Sequence, residues 1–357
     1  MSGCSLRLSL RNRFLLALLP LAEALFRLQD AFYRWLGVHP WQPPTIPPAV
    51  SIAVAAPYAP ETGFLRDRHG YRLFYRLWPP RGSAQAVLIA FDGLGSHSRQ
   101  FHPLGALGAR GIAFVGLDPE GHGLSEGPRG DLTRYPDVVD GVADAITDVG
   151  QKFPDAPVYL LGESLGAPLA MELAVRPSRP ATLAGLILSS PELNPTQLTA
   201  QGGWETVRVF IKHLPFLLFW SYRPSIDITG RERLVARGPE VYERSRRDPL
   251  RVNRVSVRTI VTAYALIGRA GTLARQIHLP VLVLQAECDR VDNPESAPEF
   301  FRCLATGDKE LVYFPGAAHG LYYDPDTPQV VRVVGDWIAR HCERWRAPVQ
   351  QCEDAAG

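Results

Sequence analysis

Six short, almost unbroken apolar runs punctuate the chain: Ala86–Phe91, Ile112–Leu117, Val158–Leu161, Leu183–Leu188, Val281–Gln285 and Leu311–Phe314. Runs that are apolar at successive rather than alternate positions predict strands buried on both faces, as in a parallel sheet. Helical spacing fills the intervals. Phe101–Arg110 and Ala167–Val175 are two such segments, and Asp137–Phe153 is a third, with Val138, Val139, Val142, Ala145, Ile146 and Val149 on one face. Phe64–Arg68 and Tyr71–Leu77 predict an opening hairpin around His69-Gly70. Strands alternating with helices predict an α/β fold: a mostly parallel sheet covered by helices on both faces.

The alternation fails in two places. Between about 192 and 278 the pattern predicts a helical lid inserted into the catalytic domain (49–347), with a conspicuous apolar run, Leu214-Pro215-Phe216-Leu217-Leu218-Phe219-Trp220. Residues 1–48 stand before the core, and 348–357 read as a C-terminal tail. Phe14–Ala22 is uninterrupted apolar sequence after Arg7, Arg11 and Arg13. Glu23, Arg27, Asp30 and Arg34 then form one polar stripe on a helix otherwise rich in Leu25, Phe26, Leu28, Phe32, Tyr33, Trp35 and Leu36. Pro40, Pro43, Pro44, Pro47 and Pro48 make the following linker stiff. The helix is too short and too charged to span a bilayer. Three readings stay open: an interfacial membrane anchor, a helix packed on the catalytic domain, or a signal peptide cut after Ala22-Glu23-Ala24. They correspond to a peripheral membrane, a cytoplasmic and a secreted protein.

Composition narrows the function only by exclusion. The 357 residues are 46% hydrophobic and 21% charged, with a net charge of +2, so nothing suggests nucleic acid. The cysteines, Cys4, Cys288, Cys303, Cys342 and Cys352, are odd in number and lack metal-ligand spacing, which argues against a disulfide framework and a metal site.

Chemistry concentrates at the ends of the apolar runs. Gly162-Glu163-Ser164-Leu165-Gly166 joins a strand to a helix. A serine held there by flanking glycines is a nucleophile elbow, with its hydroxyl beside the amides of a helix N-terminus. Such a serine needs a carboxylate and then a histidine in chain order. Ala286-Glu287-Cys288-Asp289 follows one strand and Pro315-Gly316-Ala317-Ala318-His319-Gly320 another, the loop positions where open α/β sheets place their sites. Asp289 and His319 are the candidates, with Asp292 the rival acid. Asp92-Gly93-Leu94-Gly95 follows the first buried run, so the N–H groups of Leu94 and Leu165 are the candidate oxyanion hole.

These stretches, with Leu117-Asp118-Pro119-Glu120-Gly121-His122-Gly123-Leu124-Ser125, resemble the monoacylglycerol lipases and bacterial lysophospholipases of the α/β-hydrolase superfamily over residues 60–345. Arg246-Arg247-Asp248-Pro249-Leu250 is similar to that family's lid motif. The resemblance implies Ser164, Asp289 and His319 as a triad, Leu94 and Leu165 as oxyanion donors, and structural roles for Asp118 and His122. It also implies a lipid monoester substrate, whose acyl chain an aromatic lid would wall off from water, and no metal or organic cofactor. Two positions depart from it: Asp92 stands where the family has histidine, and Ala167 where its elbow ends in a second glycine. An acyltransferase on the same triad and a catalytically silent binding protein are the alternative functions.

Overall fold

The computed structural model describes residues 10–36, 59–132, 135–195 and 212–354. The proline-rich linker and residues 196–211 of the insertion lie outside them. Eight strands form one sheet in the order β1-β2-β4-β3-β5-β6-β9-β10. These are β1 (Glu61–Arg66), β2 (Arg72–Trp78), β3 (Ala86–Phe91), β4 (Ile112–Leu117), β5 (Val158–Glu163), β6 (Leu183–Ser189), β9 (Val281–Ala286) and β10 (Lys309–Phe314). The hairpin β1–β2 and the β2–β4 pair are antiparallel; every other pair is parallel.

The apolar runs are strands because each supplies two cores at once. In β3, Val87, Ile89 and Phe91 face one layer, while Ala86, Leu88 and Ala90 face the other. Helices α2 (Tyr135–Lys152), α3 (Gly166–Val175), α7 (Val257–Ala274) and α8 (Ser296–Cys303) cover the first face. A 3₁₀ helix (Ser98–Arg110) and α9 (Thr327–Asp354) cover the second. Phe101–Arg110 winds as 3₁₀, and its Gly105 and Gly108 press onto β2 and its exit, where a Cβ would meet the Trp78 ring at 2.4 Å and the Pro79 carbonyl at 2.6 Å. The helix α9 runs past 348 into the stretch expected to be a tail.

The stretch 192–278 divides in two. Its last helix, α7, contributes Leu266, Ile267, Ala270 and Leu273 to the main core and so belongs to the sheet layers. The cap proper holds α4 (212–219), an antiparallel strand pair β7 (Pro224–Asp227) and β8 (Arg254–Ser256), and the short helices α5 (Glu232–Val235) and α6 (Pro239–Arg246). A wholly helical lid was expected; the pair β7–β8, four and three residues long, is too short to leave an apolar run.

The N-terminal segment is one helix, α1 (Leu10–Trp35), packed on α7. Ala22 and Phe26 are buried beneath it. Gln29 donates to the Leu217 carbonyl at 2.7 Å, Tyr33 donates to that of Phe219 at 2.9 Å, and Asp30 lies 3.5 Å from Arg258. Leu21, Leu28, Phe32 and Trp35, spaced for a single helix face, point to solvent beside the exposed Phe219 and Trp220. The helix therefore docks on α7 and the cap through one face and presents an apolar face outward. Cys303 is disulfide-bonded, although the odd cysteine count argued against such links, while Cys288 and Cys342 are in no disulfide.

Candidate active site

Ser164 sits between β5 and α3 with φ at 54°, a left-handed backbone that a non-glycine residue adopts only under local constraint. The constraint is visible on both sides. Its N–H donates to the Ser189 carbonyl at 3.0 Å, and its own carbonyl accepts from Ala167 at 3.1 Å and Glu192 at 3.2 Å. A Cβ on Gly162 would fall 2.2 Å from the Gly166 carbonyl oxygen, and one on Gly166 would fall 2.5 Å from that of Phe91, so the turn closes only with glycine at both places. Gly93 crosses directly over the serine: a Cβ there would lie 2.9 Å from Ser164 Oγ and 3.3 Å from the Leu165 nitrogen. The loop carrying Leu94 is thereby pressed against the start of α3, where backbone N–H groups lack intrahelical partners.

Three carboxylates crowd the loop after β9, and each has a different task. Asp289 Oδ2 accepts from His319 Nδ1 at 2.7 Å, while its Oδ1 accepts from the N–H groups of Val291 at 2.8 Å and Asp292 at 3.0 Å. Asp292 turns away and accepts from the backbone of Leu193 and Asn194, at 3.1 and 2.6 Å, fastening the loop after β6. Glu287 accepts from the Gly316 N–H at 3.0 Å and holds the histidine loop. Asp289 is thus the carboxylate on His319, and Asp292 is not.

With Nδ1 donating to Asp289, the other ring nitrogen, Nε2, is buried without a partner. Burial alone would lower the His319 pKa, but the Asp289 carboxylate favours the imidazolium and holds the value above that of an ordinary histidine. Ser164 and His319 line one small cavity of about 40 Å³ with Gly93, Leu94 and Glu163. The cap closes it through Ile228, Arg231 and Val235, and the Val235 carbonyl accepts from Gly320 at 2.7 Å, beside the histidine. Within the run Leu214–Trp220, the Leu217 and Phe219 carbonyls accept from Gln29 and Tyr33 of α1.

Asp118 and His122 have structural surroundings. Asp118 accepts from the backbone of Ser98 at 2.7 Å and Leu124 at 2.8 Å, and His122 Nδ1 is 2.9 Å from the Glu120 carbonyl oxygen. Burial pushes the His122 pKa down to about 4, so the ring is neutral. Asp92 is buried with neither carboxyl oxygen hydrogen-bonded; desolvation, Asp118 and Glu163 push it well above the usual carboxylate range. No cluster of His, Cys, Asp and Glu among the described residues could hold a metal ion.

Glu163 is a group that reading the sequence missed. It sits one residue before Ser164, accepts from Gln100 Nε2, and leaves Oε1 unpartnered. Burial pushes its pKa up to about 7, despite the opposing pull of His319 and Gln100. The variable position of the elbow carries no signal of its own; only burial shows its state. A carboxyl whose folded pKa is raised from 4.5 to about 7 stabilises the fold fully below 4.5 and loses that contribution as pH rises through 7. Glu163→Gln should therefore gain about 3 kcal/mol at pH 8 relative to its effect at pH 4.5. Denaturant midpoints at the two pH values measure this; an equal effect at both would remove Glu163 as the titrating group.

Sheet order, elbow and the Asp289–His319 pair define a serine hydrolase of the α/β-hydrolase fold. The sequence profile of the serine aminopeptidase S33 family matches residues 82–326, and the chain belongs to that family. It is 28% identical to mouse monoglyceride lipase over 77% of this chain and 89% of that one. It is 27% identical to phospholipase YtpA of Bacillus subtilis over 69% of this chain and 92% of that one. The crystal structure of a monoacylglycerol lipase from Paleococcus ferrophilus superposes with a TM-score of 0.62 at 25% identity, covering 75% of this chain and 99% of that one.

Proposed function

We propose that the protein hydrolyses lipid monoesters, with Ser164 as nucleophile, His319 as general base and Asp289 as its orienting acid. The observation that carries the reading is the 2.7 Å Asp289–His319 bond, with His319 Nε2 left unpartnered in the cavity that Ser164 lines. Ser164 Oγ attacks the ester carbonyl as its proton passes to Nε2. The N–H groups of Leu94 and Leu165 receive the oxyanion. The imidazolium returns the proton to the departing alcohol, and water repeats the sequence to release the fatty acid. No step calls for a metal or an organic cofactor.

The outward face of α1 completes the proposal. Leu28, Phe32 and Trp35 are 68%, 54% and 78% exposed, and Phe219 of the cap is 59% exposed beside them. Aromatic residues with both an apolar body and a wet edge suit the headgroup level of a bilayer. No helix among the described residues is long and apolar enough to cross one. Because the opposite face of α1 packs on α7 and the cap, the tether is tested by replacing exposed residues, not by truncation. Wild-type protein should hydrolyse 1-monooleoylglycerol in vesicles and p-nitrophenyl butyrate in solution. Leu28→Ser, Phe32→Ser and Trp35→Ser combined should float free of vesicles and lose at least tenfold in rate on the vesicle substrate alone. An inactive wild-type protein overturns the hydrolase reading. A variant that still binds vesicles overturns the tether.

A further inference from the structure

A second cavity, larger than the one at Ser164, adjoins it. Its space of about 500 Å³ opens between the start of the 3₁₀ helix and the cap segment running from α6 to Arg251. Gln100, Arg251 and Tyr323 line both cavities, so the two adjoin. A polar chain marks the boundary: Tyr323 and Ser96 hydroxyls are 3.3 Å apart, Ser96 donates to Gln100 Oε1 at 2.9 Å, and Gln100 reaches Glu163 beside the nucleophile.

The lining is strongly cationic. Arg99, Arg244, Arg251 and Arg247, which also lies 3.8 Å from Glu243, line the cavity against one carboxylate, Asp248. That carboxylate is already engaged, 3.1 Å from His97 Nε2 and accepting from the Leu250 N–H at 2.9 Å. Arg99 and Arg244 make no ion pair among the described residues. Arg251 is only 9% exposed and lies 3.6 Å from Glu232, yet its Nε has no partner; the buried His97 Nδ1 has none either. An open, buried guanidinium N–H in a cavity lined by further arginines suits a multivalent anion, above all phosphate, whose oxygens match their geometry. A glycerol headgroup would present only neutral hydroxyls and leave this charge unanswered.

We infer that this cavity is a headgroup subsite for phosphate, making an anionic lysophospholipid the substrate class. The inference rests on the reading of Ser164 as an ester hydrolase. The acyl carbon would lie at Ser164 and the glycerophosphate would extend past Arg251 and Tyr323 towards Arg99 and Arg244. In the first half-reaction the acyl–oxygen bond to glycerol breaks as the acyl–serine ester forms, and the serine proton leaves with the glycerophosphate alcohol. Water then supplies the hydroxyl that completes the fatty acid. The phosphate ester itself is untouched.

The test compares 1-oleoyl-lysophosphatidate with 1-monooleoylglycerol in mixed micelles, with p-nitrophenyl butyrate as a headgroup-free control. The wild type should favour the lysophosphatidate at least tenfold in kcat/KM. Arg99→Gln combined with Arg244→Gln should lower kcat/KM on lysophosphatidate at least tenfold more than on monooleoylglycerol, and raised salt should narrow the gap between substrates. Glycerol 3-phosphate should inhibit competitively. Equal losses on both lipids, or a wild-type preference for monooleoylglycerol, would overturn the subsite and leave the hydrolase standing. Inhibition by inorganic phosphate with no preference between the lipids would mark a free-anion site and overturn it too. Failure on every ester, butyrate included, would take the hydrolase reading and the subsite down together.

Discussion

Ser164→Ala is expected to keep the fold and to lose ester hydrolysis, together with labelling by a fluorophosphonate probe. Its backbone geometry is held by hydrogen bonds to Ser189, Ala167 and Glu192 and by the packing of Gly162 and Gly166, none of which uses the hydroxyl. Alanine leaves all of them in place. The loss in kcat should be on the order of a millionfold, with only the weak catalysis of an oxyanion hole and bound water remaining. Circular dichroism and the thermal midpoint should match the wild type. Labelling that persists in the variant would place the nucleophile elsewhere.

Asp289→Asn is expected to cost on the order of ten thousandfold in kcat/KM. The amide can donate to Nδ1, which moves the ring proton to Nε2 and leaves the serine without a base. The loss of the carboxylate also removes what holds His319 above an ordinary histidine, so the acid limb of any residual pH–rate profile should move to lower pH. Asp292→Asn should cost far less, because an amide oxygen can still accept from Leu193 and Asn194. A ranking in the opposite order would transfer the acid's role to Asp292.

The buried strands were legible because a parallel strand covered on both faces needs apolar residues at every position, which leaves a run that few other structures produce. The elbow was legible for a related reason: its two glycines answer contacts of 2.2 and 2.5 Å that no side chain could tolerate. The choice between Asp289 and Asp292 was not legible. Three carboxylates within six residues differ only in the turn of the backbone, so only the resemblance, and not the local pattern, favoured Asp289 as the one that meets the histidine. The orientation of α1 was hidden differently. Apolar residues occupy two of its faces, and only packing against α7 decides that Ala22 and Phe26 go inward while Leu28 and Phe32 stay out. The state of Glu163 and the charge gathered around the larger cavity both arise from residues far apart in the chain.

The division of labour among Glu287, Asp289 and Asp292 has a consequence for how this enzyme can change. One short loop ties together the chain segments leaving β6, β9 and β10 by side-chain bonds to Leu193, Asn194, Gly316 and His319. An added or deleted residue there would misplace all three attachments at once, so lineage drift and laboratory libraries alike should find residues 287–292 fixed in length. The stretch between β7 and β8 is held to the catalytic loops at particular points, by Val235 to Gly320 and by Val252 to Gly95. Variation in composition between those points can reshape what the cavities accept while the proton-transfer geometry is inherited intact.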